Sequence, residues 1–144
     1  MKNSKKQETI AIRTQLERSQ HKEHSAPLFL TSSYMFDSAE HANALFEDEA
    51  DGNIYGRYSN PNVSEFIDKM CLLEGTEAGF ATATGMAAVF CSMAALLKAG
   101  DHVLVSKSVF GSTIQIAENI LGKWGVESDF LDIYKPDQWE EQFK

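Results

Sequence analysis

Three short stretches carry residues able to do chemistry, and each offers a way to hold an oxyanion or a flat ring. In "ATATGMAAVF" (81–90) a single glycine, Gly85, stands between small hydroxyl residues, after an apolar run and before an alanine-rich one. Read as a strand-to-helix turn, this places unpaired helix amides and the positive end of the helix dipole where open α/β sheets bind ligands. Glycine lets a phosphate approach the backbone with no Cβ in the way, and Thr82 and Thr84 add hydroxyl donors. The alternative is that Gly85 only makes a tight turn while the alanines let the helix pack closely. In "YGRYSNP" (55–61) the guanidinium fork of Arg57 suits a phosphate, and Tyr55 faces the same side if the segment is extended. The alternative there is a surface arginine stacked on a tyrosine. In "VFGST" (109–113) Phe110 follows a strand and opens a helix, so its ring either covers a flat heterocycle or joins the core. Taken together the three fit a planar phosphate ester.

Other chemistries find less support. The chain contains no GxxxxGK[ST], no GxGxxG and no GxSxG. His21 and His24 have HxxH spacing but no third ligand near in sequence, so a solvated face is expected and no metal site is assigned. His41 and His102 have no evident catalytic partner. Cys71 and Cys91 form no CxxC pair and lie in apolar helix-like stretches, which reads as buried thiols in a reducing cytoplasm.

The elements that must position these residues fall into two parts. Residues 1–59 read as an arm without a core of its own. It holds a polar helix over 5–20, an extended hydroxyl-rich segment over 25–36 broken by Pro27, a short helix over 38–48 capped by Ser38, and a loop over 49–60. From residue 60 the punctuation is regular: Asn60 caps a helix with Pro61 at its first position, Val63, Phe66, Ile67, Met70 and Leu73 at helical spacing, and Gly75 at its end. "AGFATA" (78–83) then reads as a strand, followed by a buried helix with Lys98 in its last turn and Gly100 beyond. A strand over 102–106, a helix over 111–125, a strand over 126–133 and a helix start after Asp137 complete the pattern. Alternating strands and helices imply an α/β domain with a parallel sheet wound by right-handed crossovers. Three strands are few for such a sheet, so a fragment is expected.

Composition agrees with a folded globular chain: 144 residues, 43% hydrophobic and 24% charged. With 13 basic against 21 acidic side chains, the net charge of -8 argues against nucleic acid or an anionic membrane surface as partner. The N-terminal "MKNSKKQETIAIRTQ" has no continuous apolar core of signal-peptide length, and nothing later spans the roughly 20 residues a membrane helix needs, so a cytoplasmic protein is expected.

"NIYGRYSNPNVSEFIDKMCLLEG", "ATATGMAA" and "DHVLVSKSVFGST", in this order and spacing, resemble the pyridoxal-phosphate enzymes of cysteine and methionine metabolism, the group of cystathionine γ-synthase and the homoserine-ester sulfhydrylases. The resemblance runs from about residue 25 to the end. It implies an N-terminal arm (1–59) followed by the first part of an aspartate-aminotransferase-like, fold type I large domain (60–144), with pyridoxal 5'-phosphate as cofactor. It implies that Tyr55 and Arg57 hold the cofactor phosphate in the neighbouring subunit's site, and that the amides of Gly85 and Met86 hold it from the same chain. Phe110 falls where most members have a tyrosine stacked on the pyridine ring, a departure that keeps stacking and loses a phenol. "SVFGST" looks most like the O-succinylhomoserine sulfhydrylase branch, which implies replacement of the ester of O-succinyl- or O-acetylhomoserine by sulfide to give homocysteine. Cystathionine γ-synthase or γ-lyase activity is the alternative within the family, and a catalytically dead interaction fragment the alternative outside it. The Schiff-base lysine and the aspartate that pairs with the pyridine nitrogen are expected after residue 144, since Lys98 and Lys107 lack the surrounding pattern. No catalytic residue is therefore assigned, and the chain alone is expected to be inactive. A homo-oligomer, a dimer of dimers, is implied.

Overall fold

Side-chain caps set where helices begin, and the computed structural model, which describes residues 6–13 and 18–143, shows them at the expected places. The chain divides into two compact units, Met1–Ala81 and Thr82–Lys144.

The first unit holds α1 (Gln7–Arg13), α2 (Ala39–Phe46) and α3 (Pro61–Glu74). The helix expected over 5–20 is not continuous to its end: α1 is described through Arg13, residues 14–17 lie outside the described residues, and 18–24 are irregular with a turn at 20–21. Ser38 caps α2 by accepting the His41 amide at 3.1 Å, and Leu45 is buried beneath the following loop. α3 starts on Asn60, whose side chain accepts the Asn62 amide at 2.9 Å, and stops at Gly75 in the left-handed conformation. Its apolar stripe, however, is not a core face. Val63, Phe66 and Met70 are exposed, whereas the Glu65–Lys69 pair, 3.7 Å apart, is the more covered flank. Among the described elements α1 packs closely on α3, and Ile67 lies against Gly79, but Val63, Phe66 and Met70 stay uncovered.

In the second unit α4 (Gly85–Leu96) leads to β1 (His102–Ser106), α5 (Gly111–Gln115), β2 (Glu127–Leu131) and α6 (Asp137–Glu141). β1 and β2 pair in parallel, with Val105 opposite Phe130 in the ladder. Ile116, Leu121 and Val126 form the core, and Met86, Val89, Phe90, Met93 and Leu97 pack onto it from α4 and its end. The Phe90 ring meets Trp124 edge-on at 5.7 Å. The helix expected over 111–125 is α5 continued by a wide π segment, Ile116–Leu121, and a tight turn, Gly122–Trp124. Ser128 Oγ donates to the Ala117 carbonyl at 3.2 Å, a second bond to an oxygen on the widened turn that already accepts the Gly122 amide.

Four expectations need correction. "AGFATA" is not a strand: a strand needs a ladder partner, the ladder among the described residues joins β1 to β2, and Phe80 is exposed. α4 is not buried all round, since one side packs on the core while Leu96 and Cys91 face outward. It ends at Leu96 rather than near Lys98, because the Asp101 carboxylate takes the Lys98 amide at 2.8 Å and Leu97 turns extended. Neither thiol is buried: Cys71 is half-covered and Cys91 exposed.

Candidate functional site

Tyr55, Gly56 and Arg57 form a turn held against the arm. The Tyr58 and Ser59 amides fold back on the Tyr55 carbonyl at 2.8 and 3.1 Å, while the Gly56 amide donates to the Ser32 carbonyl at 2.8 Å and Ser33 bridges to Tyr55. The strands touch so closely that a Cβ on Gly56 would lie 2.8 Å from the Thr31 carbonyl oxygen. Glycine is therefore required there by approach of another chain segment.

The stacked arrangement of this pair is present. The Arg57 guanidinium stands 4.4 Å over the Tyr55 ring, and its Nη1 donates to Tyr55 Oη at 3.0 Å. Because the phenol oxygen accepts from arginine, its own hydrogen stays free to point outward. The guanidinium keeps further N–H donors, and Arg57 is exposed. Neighbouring Tyr34 buries its phenol oxygen with no partner among the described residues.

In the second unit Gly85 opens α4. Gly85 is not among the glycines with positive φ, and a Cβ built on it meets nothing within 4 Å. Among the described residues neither a positive φ nor a packing neighbour calls for a glycine here. Thr84 Oγ1 accepts the Ala87 amide at 3.1 Å and its carbonyl accepts that of Ala88, which leaves the amides of Gly85 and Met86 without an acceptor among the described residues. The Met86 side chain packs on the core, which fixes where its amide points. Two parallel donors at a helix start, with open space beside them, can take one oxyanion. The expectation for the hydroxyls changes in one respect: Thr82 Oγ1 donates to the Thr84 carbonyl at 2.8 Å and braces the turn instead of facing outward.

Phe110 follows the end of β1 and opens α5, its carbonyl accepting the Thr113 amide at 2.8 Å. At 72% exposed the ring belongs to no core, so a planar partner can lie on it. Tyr55 and Arg57 are brought together in the first unit; Gly85 and Met86 adjoin in the second, which also holds Phe110.

The sequence reading assigned Asn60 only a cap and passed over Asn62. Their amides in fact tie α3 to the arm, a pairing over more than 30 residues that no local spacing reveals. His102, left without a partner, lies 2.9 Å from Asp129 across the β1–β2 ladder. Among the described residues no group of three metal-ligating side chains occurs, and no helix is long and apolar enough to cross a membrane.

Together these observations define an α/β segment with two unpaired amides at a helix start, an exposed aromatic beside a strand end, and an arginine stacked on a tyrosine. The chain belongs to the Cys/Met metabolism PLP-dependent enzyme family, which it matches over residues 8–144. It is 44% identical over 134 residues to an O-succinylhomoserine sulfhydrylase of Mycobacterium tuberculosis (strain CDC 1551 / Oshkosh), covering 93% of this chain and 33% of that protein. An L-methionine gamma-lyase of Porphyromonas gingivalis is 34% identical, over 81% of this chain and 29% of its own length. The crystal structure of a putative O-acetylhomoserine (thiol)-lyase from Campylobacter jejuni, which carries N'-pyridoxyl-lysine-5'-monophosphate, superposes with a TM-score of 0.90 at 29% identity, over 97% of this chain and 35% of that one. The fold is thus the expected α/β one, the opening part of a fold type I enzyme, and the chain spans about a third of the length of these relatives.

Proposed function

We propose that this chain is the N-terminal part of a pyridoxal-phosphate-dependent homoserine-ester sulfhydrylase of methionine biosynthesis. One observation carries the cofactor assignment: the paired amides of Gly85 and Met86, beside a position where a Cβ would enter open space. The donor set fits a phosphate monoester, with amides and an arginine fork as donors and an exposed ring for a planar heterocycle. The cofactor when bound supplies an electron sink for carbanion chemistry.

This chain's own residues hold and orient. Gly85 and Met86 anchor the phosphate from within the chain; Tyr55 and Arg57, on the arm formed by residues 1–59, anchor it in a neighbouring subunit of a dimer of dimers. Residues 60–144 begin the cofactor domain. Phe110 covers the pyridine face and, lacking a phenol, moves no proton, so the proton transfers fall to groups outside these residues. In the overall reaction the γ-carbon to oxygen bond of O-succinyl- or O-acetylhomoserine breaks, its electron pair leaving with the carboxylate. Hydrosulfide forms the new carbon–sulfur bond to give homocysteine. A cytoplasmic setting suits this chemistry.

A γ-lyase reading has support from the methionine gamma-lyase relative, at lower identity than the sulfhydrylase. Purified full-length protein incubated with sulfide and each homoserine ester separates the two. Homocysteine formation that depends on sulfide is expected; release of a 2-oxo acid at the same rate without any thiol would discard the replacement reading.

A further inference from the structure

The part of the arm that runs past the start of α3 leaves its large apolar side chains outside: Leu28 is 78% exposed and Leu30 92%, while the buried Ile10 and Leu45 lie elsewhere in the arm. Hydrophobic burial therefore does little to fix where this part runs, and directional bonds must do so. Two asparagines at the start of α3 provide them. Asn62 Nδ2 donates to the Pro27 carbonyl at 2.7 Å while its Oδ1 accepts the Phe29 amide at 2.8 Å. Asn60 Nδ2 donates to the Phe29 carbonyl at 3.0 Å while its Oδ1 caps the helix. Three residues past Phe29, the Ser32 carbonyl accepts the Gly56 amide, and Ser33 pairs with Tyr55.

We propose that Asn60 and Asn62 are positioning residues for the phosphate hook. They clamp the arm at Pro27 and Phe29, so that its next residues meet Gly56 in register and hold Tyr55 and Arg57 on the site. This rests on the reading of Tyr55 and Arg57 as phosphate-holding residues. The chemistry demands an amide at both positions, because each side chain donates and accepts at once. Aspartate has no donor, and serine is too short to reach across. Only two residues, Tyr58 and Ser59, separate Arg57 from the capping Asn60, so displacement at the clamp reaches the guanidinium with little chain to absorb it.

The test uses full-length protein carrying Asn62→Asp, which keeps size and acceptor but removes the donor, and Asn60→Ser, which keeps the helix cap. Arg57→Ala and the double variant Asn62→Asp/Arg57→Ala complete the set. Pyridoxal 5'-phosphate affinity is measured by equilibrium dialysis, and amide hydrogen exchange at Phe29 and Gly56 is followed in the cofactor-free protein. Asn62→Asp should weaken the cofactor about 3- to 10-fold and speed exchange at Gly56, and the double variant should bind no worse than Arg57→Ala alone, as for residues acting through one contact. Asn60→Ser should shift both readouts in the same sense by less. If Arg57→Ala weakens the cofactor but Asn62→Asp leaves affinity unchanged, or adds its full effect on top of Arg57→Ala, the positioning role is overturned while the hook stands. Unchanged affinity in Arg57→Ala overturns the hook and the positioning role together.

Discussion

In the proposed site, side chains supply the donors at Tyr55 and Arg57, whereas the main chain supplies them at Gly85 and Met86. The first arrangement needs residues 27–33 to meet the turn and the start of α3, more than 20 residues further along the chain, through hydrogen bonds. The second needs one helix, a threonine cap and a methionine packed on the core. A side-chain hook is thus easily removed and depends on distant residues, while a backbone site survives most substitutions and fails only when something fills its space.

The predictions, all for the full-length protein, press on that contrast. Arg57→Ala should cost the most, removing a charge-assisted contact worth about 1.5–3 kcal/mol, seen as cofactor lost on dialysis with thermal stability kept. Gly85→Ala should separate affinity from stability. The added Cβ meets no protein atom, so the melting temperature should hold or rise with the ~0.4–1 kcal/mol typical of such replacements, while pyridoxal phosphate binding weakens. A fall in stability with binding intact would return Gly85 to a purely structural turn. Thr84→Ala should do the reverse, lowering stability by about 1 kcal/mol in denaturant titration through loss of the α4 cap. Tyr55→Phe removes only the phenol that accepts from Arg57 and should cost about 0.5–1.5 kcal/mol of cofactor affinity.

The smallest effect lies away from both regions. The Ser19 amide and hydroxyl hold the exposed Glu23 carboxylate, lowering its pKa from 4.5 to about 2. Because the folded value is depressed, the bond's contribution is complete above 4.5 and is lost as pH falls toward 2. The Ser19 amide resonance should follow that midpoint in an NMR titration, and a midpoint near 4.5 would mean the turn is open in solution.

Elements with local signals were legible in the sequence. Ser38, Asn60 and Gly75 mark real helix ends, and "HVLVS" is a strand, because caps and short apolar runs act over a few residues. Burial was not legible to the same degree. The α3 stripe and α4 carry core-like patterns, but a pattern states what a face can bury and not what lies against it. In the same way "AGFATA" has strand composition without a ladder partner. At the site, Arg57 over Tyr55 follows from two neighbouring residues, and the Gly85 turn from its glycine and threonines. The Asn62 bonds span more than 30 residues, so only the folded chain shows them.

The widened helical turn at Ile116–Leu121 has a consequence for chain length. A wide turn takes up more residues than a regular one over the same rise, so Ile116 and Leu121 both reach the core although α-helical spacing would set them on different sides. Shortening the chain by one residue between them would regularise the spiral and rotate everything after it by about a quarter turn. Trp124 would then swing off Phe90, so this helix tolerates exchange of letters far better than a change in their number.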